Sequence, residues 1–126
     1  MLHFEEGQVW RYQARAHESE SKLYIVRIDE LSGYRIFHIF LDGLSLKNQN
    51  TESGIQTELP HAPVDQESLE KSLLEFQGYT DTPPDISEGY SIWREAFDSG
   101  DAGAFNIPIS AVVQYIEDVV AGKANA

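Results

Sequence analysis

The sequence predicts an α+β domain: an antiparallel meander of three to five strands in the N-terminal half, then three helices in the C-terminal half packed on one sheet face. Three observations predict it. The pattern is strand-like from Gln8 to Leu31, an apolar strand follows to Leu41, and the period switches to helical spacing near Asp65. The links between the early apolar runs are short, as antiparallel neighbours require. The chain has 126 residues, which is one domain's worth, so 1–126 is read as a single unit.

The elements follow in order. Val9 to Ala16 alternates, with Trp10, Tyr12, Ala14 and Ala16 on one face and Arg11, Gln13 and Arg15 on the other. His17–Ser21 is a polar link. Lys22 to Asp29 is rich in β-branched residues and reads as a second strand, its face Tyr24-Val26-Ile28 turned to the core. Leu31-Ser32-Gly33 is a turn, and Tyr34 to Leu41 is an almost continuously apolar third strand. No helix is expected between Val9 and Leu41. Asp42-Gly43 tolerates φ > 0 and predicts a hairpin or bulge before a short strand, Leu44 to Lys47. Ile55 to Leu59 reads as an edge strand stopped by Pro60-His61-Ala62-Pro63.

Asp65 caps a first helix whose stripe of Leu69, Leu73, Leu74 and Phe76 stops at Gly78. Asp85 caps a second, with Glu88 placed as in a capping box. Its stripe is Ile86, Tyr90, Trp93 and Phe97, which predicts Trp93 as a core anchor. Ala104 to Ile107 reads as a short strand. Ser110 caps a third helix, with Val112, Val113, Ile116, Val119 and Val120 inward and Gly122 closing it. Lys123 to Ala126 reads as a frayed tail. The expected core is Trp10, Tyr24, Val26, Ile28, Phe37, Ile39, Leu41, Leu73, Trp93, Phe97 and Ile116.

Composition excludes several function classes. Cys is absent, which rules out disulfide scaffolds, thiol catalysis and cysteine zinc sites. No apolar run is long enough to cross a bilayer, and Met1–Glu6 has neither a basic nor an apolar signal region. The expectation is a soluble cytoplasmic protein. Nine Lys and Arg against 21 Asp and Glu give a net charge of −12, which argues against nucleic-acid or anionic-membrane binding. Residues 1–50 hold six bases and seven acids; residues 51–126 hold three bases and fourteen acids. The excess therefore sits in the second half, as a solvated surface or as a face for a basic partner.

No chemical motif stands out. His3, His17, His38 and His61 lack paired spacing, and no H-E-x-x-H is present, so no metal is expected. Asp98 to Gly103 lacks the order of a calcium loop. There is no Walker motif, no G-x-G-x-x-G and no nucleophile elbow, so neither catalysis nor a cofactor is expected.

Two surfaces are candidate sites. Asp81, Asp85, Glu88, Glu95, Asp98 and Asp101 surround the second helix with one base, Arg94, among them. Asp98 lies near the helix C-terminus, where negative charge is mildly unfavourable, so a basic protein partner is expected to compensate it. The outer sheet face would carry Arg11, Arg15, Arg27, His38 and Phe40, together with Leu23, Ile25 and Ile36. It is a possible ligand or homodimer face, because apolar residues rimmed by charge suggest contact.

Gly7-Gln8-Val9-Trp10-Arg11-Tyr12, His38-Ile39, Asp42-Gly43-Leu44, Lys47-Asn48, His61 with Pro63, Gly89-Tyr90 through Trp93-Arg94-Glu95-Ala96-Phe97, and Ala102-Gly103 to Ile107-Pro108 resemble a group of short bacterial proteins of uncharacterised function. The resemblance implies a single-domain bacterial protein and brings no activity, ligand or site residue. Three functions remain. The first is a small acidic binding protein, such as an immunity protein or inhibitor of a basic partner. The second is a small-molecule domain or enzyme using Arg11, Arg27 and His38 around an anion. The third is a structural homo-oligomer.

Overall fold

The computed structural model describes residues 3–31 and 33–122. Ser32 of the expected turn and the expected tail Lys123–Ala126 lie outside the described residues. Five antiparallel strands form the main sheet: β1 (Gln8–Tyr12), β2 (Lys22–Leu31), β3 (Tyr34–Leu41), β6 (Leu59–Val64) and β7 (Leu73–Tyr79). Their spatial order is β6-β3-β2-β1-β7. β4 (Leu46–Lys47) and β5 (Ile55–Gln56) pair separately, and the helices are α1 (Gln66–Ser72), α2 (Ser87–Asp98) and α3 (Ile109–Val120). The class is α+β.

The helices divide between the two faces, which corrects the one-face expectation. Phe37, Ile39 and Leu41 of β3 join Leu69 of α1 and Ile109, Val112 and Val113 of α3 in the main core. His38, between them in sequence, points the other way and meets Tyr90 and Trp93 of α2. Ile36 to Leu41 is buried at every position, so β3 needs a layer on both sides.

A β-bulge decides the phase of β2. Leu31 opposes Tyr34 and Arg27 opposes His38, but beyond the bulge Ile25 opposes Ile39 and Leu23 opposes Leu41. One extra residue, Val26, lets Leu23 and Ile25 share the core face with Ile28. The expected Tyr24-Val26-Ile28 face therefore holds only for Ile28. Leu23 and Ile25 leave the outer face, and Tyr24 packs on Phe40 there, with ring centroids 5.8 Å apart.

β1 stops at Tyr12 rather than Ala16. A 3-10 turn, Ala16–Glu18, sits in the stretch where no helix was expected. Arg15 holds it: its guanidinium makes two 2.7 Å bonds to Glu18 and reaches Glu117 of α3 at 3.2 Å. Glu18 also accepts the Ser45 N–H at 2.8 Å, and Glu117 accepts the Lys47 N–H at 2.7 Å. Arg15 therefore clamps the end of the sheet to β4 and α3 and does not belong to the outer face.

Asp42-Gly43 is neither a hairpin between β3 and β4 nor a bulge. Asp42 accepts the Lys22 N–H at 2.7 Å and the Tyr24 hydroxyl at 2.9 Å, and Gly43 has φ 58°. A Cβ on Gly43 would lie 3.1 Å from the Ser21 backbone, so the chain leaves the sheet here because glycine fits the gap. β6 continues through Pro60 and Pro63, past the expected stop, because an edge strand can lack outward N–H groups. Phe105 then pairs with its outer side through an isolated bridge to Val64, in place of the expected strand at Ala104–Ile107.

The first helix ends at Ser72, six residues before the expected stop. Asp65 caps it as expected, accepting the Ser68 N–H at 2.9 Å. Leu73 onward pairs with β1, whose free edge competes successfully with a weak helix pattern. Helix α3 starts at Ile109 after Pro108, not from a Ser110 cap, and its Val119 is exposed.

Candidate functional site

The space between β3, β6 and α2 holds a chain of polar side chains. Strand register builds it. His38 opposes Arg27 in β2 and Pro63 in β6, so Asp29 and His61 are its diagonal neighbours. Helix spacing then places Tyr90, Trp93 and Arg94 on the α2 face above them.

His38 is fully buried. Its Nε2 lies 3.1 Å from Asp29 Oδ2, and its Nδ1 lies 2.9 Å from His61 Nε2. Asp29 also accepts the Tyr90 hydroxyl at 2.7 Å and Arg27 Nε at 3.1 Å. Arg94 donates to the Tyr90 oxygen at 3.1 Å, and the Arg27 guanidinium lies 4.3 Å above the Tyr90 ring. Trp93 stands edge-on to His38 at 4.6 Å, stacks on Phe97 at 4.9 Å, and donates its indole N–H to the Gly103 carbonyl at 2.8 Å.

Asp29 orders the protons. Burial pushes its carboxyl up, but the Tyr90 and Arg27 hydrogen bonds and the charges of Arg27 and His38 hold it below the ordinary value. An ionised carboxylate only accepts, so His38 carries its proton on Nε2 and accepts at Nδ1. His61 then donates from Nε2 and keeps its lone pair on Nδ1. Burial lowers both histidines to about 4, and the neighbouring His38 further lowers His61. Both rings are thus neutral near neutral pH.

His61 Nδ1 has no hydrogen bond among the described residues. No buried side-chain nitrogen or oxygen there lacks a partner, so Nδ1 reaches solvent. It borders a shallow depression of about 320 Å³ between Pro60, Glu88, Gly89 and Ile92. The arrangement can accept a hydrogen bond at that point. A pKa near 4 makes it a weak general base.

Gly89 permits this packing. A Cβ there would lie 2.7 Å from the His61 Cβ. Replacing a helical glycine by alanine ordinarily stabilises by about 0.5–1 kcal/mol. Here the sign inverts: Gly89→Ala is expected to destabilise by about 1–3 kcal/mol through overpacking, read as a lower denaturation midpoint.

Of the expected outer-face residues, Arg11, Arg27, His38 and Phe40 share that face and Arg15 does not. Arg27 and His38 meet directly. Phe40 is buried two residues further along β3. Arg11 lies on the same face two strands away, opposite Lys22 and Glu75, and Arg15 serves the clamp. His38 and Phe40 are buried and so are not free to contact a ligand or a second copy. Arg27 pairs with Asp29 at 3.1 Å, which offsets the charge an anion would meet there.

The six acids are all exposed. Two are engaged: Asp85 accepts the Ser87 N–H at 2.8 Å, which holds its carboxyl down, and Asp98 pairs with Arg94 at 3.1 Å. That pair compensates Asp98 within the chain, so its position does not by itself call for a partner. Asp81, Glu88, Glu95 and Asp101 make no ion pair among the described residues.

Sequence reading passed over Asp29, His61 and Tyr90. Counting register outward from the Leu31–Tyr34 pair would have found the first, because it sets Arg27 against His38. Among the described residues no group of three or more His, Cys, Asp and Glu could hold a metal ion, and no helix is long and apolar enough to cross a membrane. The chain matches no family model, no curated protein and no solved structure.

Proposed function

We propose that this chain is a small, non-catalytic, cytoplasmic binding protein that docks a basic protein against the outer face of α2, as an immunity protein or inhibitor would. One observation carries the reading. Ile92 is 66% exposed and lies between Glu88 and Glu95 on one outward helical stripe, with Pro60 across the shallow depression beside it. An apolar centre flanked by two carboxylates suits a partner with an apolar knob and basic side chains beside it. The polar chain beneath α2 supports it by tying this helix to the sheet.

The test uses capture from a bacterial lysate with wild-type and Glu88→Lys/Glu95→Lys proteins as bait. Both residues are exposed and make no ion pair among the described residues, so the variant is expected to keep its thermal midpoint within about 0.5 kcal/mol of stability. The variant should lose the wild-type partner, and wild-type capture should weaken with salt. Equal capture of the same proteins by both baits removes the reading.

A second reading is favoured by the opening of about 460 Å³ lined by Glu6, Arg27, Asp29, Asp85, Ser87 and Tyr90. Its carboxylates outnumber its one arginine, so it suits a cationic or polyhydroxy ligand. A small cation or polyol that raises the thermal midpoint of the wild-type protein, and raises it less in an Asp85→Asn protein, would move the function there.

A further inference from the structure

The two edges of the main sheet are unlike. The β6 edge carries Pro60 and Pro63, and Phe105 bridges its C-terminal end, donating its N–H to the Pro63 carbonyl and accepting the Asp65 N–H, both at 2.9 Å. Both features obstruct further pairing along it. The β7 edge carries no proline and no lysine. Leu74, Phe76 and Tyr79 are 63%, 44% and 59% exposed there. Bulges at Leu74 and Gln77 twist the strand but add no charge to it.

The core runs out to this edge. Phe37 meets Phe4 at 5.4 Å, Phe4 meets Trp10 at 6.1 Å, Trp10 meets Phe76 at 5.3 Å, and Phe76 meets Tyr79 at 5.4 Å. The row begins with fully buried rings and ends in two exposed ones. Among the described residues nothing continues it.

We propose that β7 pairs antiparallel with β7 of a second copy, joining two five-stranded sheets into one across a two-fold axis at Phe76. Charge selects this occupant. The strand holds one acid, Glu75, in a half of the chain that is otherwise strongly acidic, so a basic partner gains little here. Centring on Phe76 sets Glu75 against Gln77 of the other copy. Gln77 already donates to Glu75 along its own strand at 2.6 Å, so the two side chains suit each other. Centring on Glu75 would instead oppose two carboxylates. Two-fold pairing uses the β7 edge of both copies, and prolines and Phe105 obstruct the β6 edge, so the association stops at a dimer.

Phe76→Asp would also strip packing from Trp10, so Gln77, which is exposed, is the better probe. Sedimentation equilibrium is measured on wild-type, Gln77→Glu and Gln77→Lys proteins, each confirmed folded by circular dichroism. The wild type should dimerise. Gln77→Glu creates two like-charge cross-strand pairs and should weaken the dimer about tenfold; Gln77→Lys creates two opposite-charge pairs and should tighten it about tenfold. Both changes should shrink in high salt. A wild-type protein that stays monomeric into the high micromolar range overturns the proposal. So does a dimer whose dissociation constant the two substitutions do not move in opposite directions.

Discussion

Trp93→Ala is expected to cost about 3–5 kcal/mol, the usual range for removing a large buried aromatic. Trp93 is 7% exposed and has three separate attachments. It stacks on Phe97, meets the buried His38 ring edge-on, and donates to Gly103. The alanine variant leaves a cavity over His38 and an unpaired carbonyl at Gly103. It also loosens the attachment of α2 to the sheet and of the Ala102–Gly103 link to α2. Chemical denaturation followed by circular dichroism measures the cost. A midpoint equal to that of the wild type would mean that Trp93 is not an anchor.

Acid is expected to remove a comparable amount of stability through the two coupled histidines. In the unfolded chain a histidine titrates near 6.5; folded, His38 and His61 titrate at about 4. Between those values the unfolded state binds more protons, so stability rises with pH across that window and falls on acidification. The stabilising contribution is fully present above pH 6.5 and is lost as pH drops toward 4. Across the whole window a shift of this size corresponds to about 3 kcal/mol for one histidine, and the two rings titrate as a pair. Asp29, held below its ordinary value, adds a further loss only at lower pH. Denaturation midpoints across the window check this, with the double variant His38→Gln/His61→Gln as control. Glutamine can still donate to Asp29 but does not titrate, so the variant should show a flatter profile. A profile as steep as that of the wild type would assign the acid sensitivity to the carboxylates instead.

Both predictions concern one cluster, and the chain discloses it unevenly. The stripe Ile86, Tyr90, Trp93 and Phe97 is legible because helical periodicity is local: four residues at i, i+4, i+7 and i+11 must share a face. What that face covers is not local. His38 meets His61, 23 residues away, only because β6 pairs with β3 across a loop and a separate two-stranded ribbon. Tyr90 meets Asp29, 61 residues away, only because α2 crosses to the face that α1 and α3 leave open.

By itself the sequence determined the α+β class, the positions of β2, β3, α2 and α3 to within a few residues, the Asp65 cap and the acidic second half. Each follows from short-range physics: alternation, helical spacing, capping chemistry and counted charge. The tertiary structure decided the rest. One bulged residue at Val26 reversed the inward face over half of β2, and period 2 cannot reveal where a bulge falls. The free edge of β1 drew Leu73–Tyr79 out of a helix and into a strand, because long-range pairing outweighs a propensity of a few tenths of a kcal/mol per residue. The double-sided burial of β3 sent α2 to the opposite face from its neighbours, and so created the buried histidine pair that no spacing in the sequence announces.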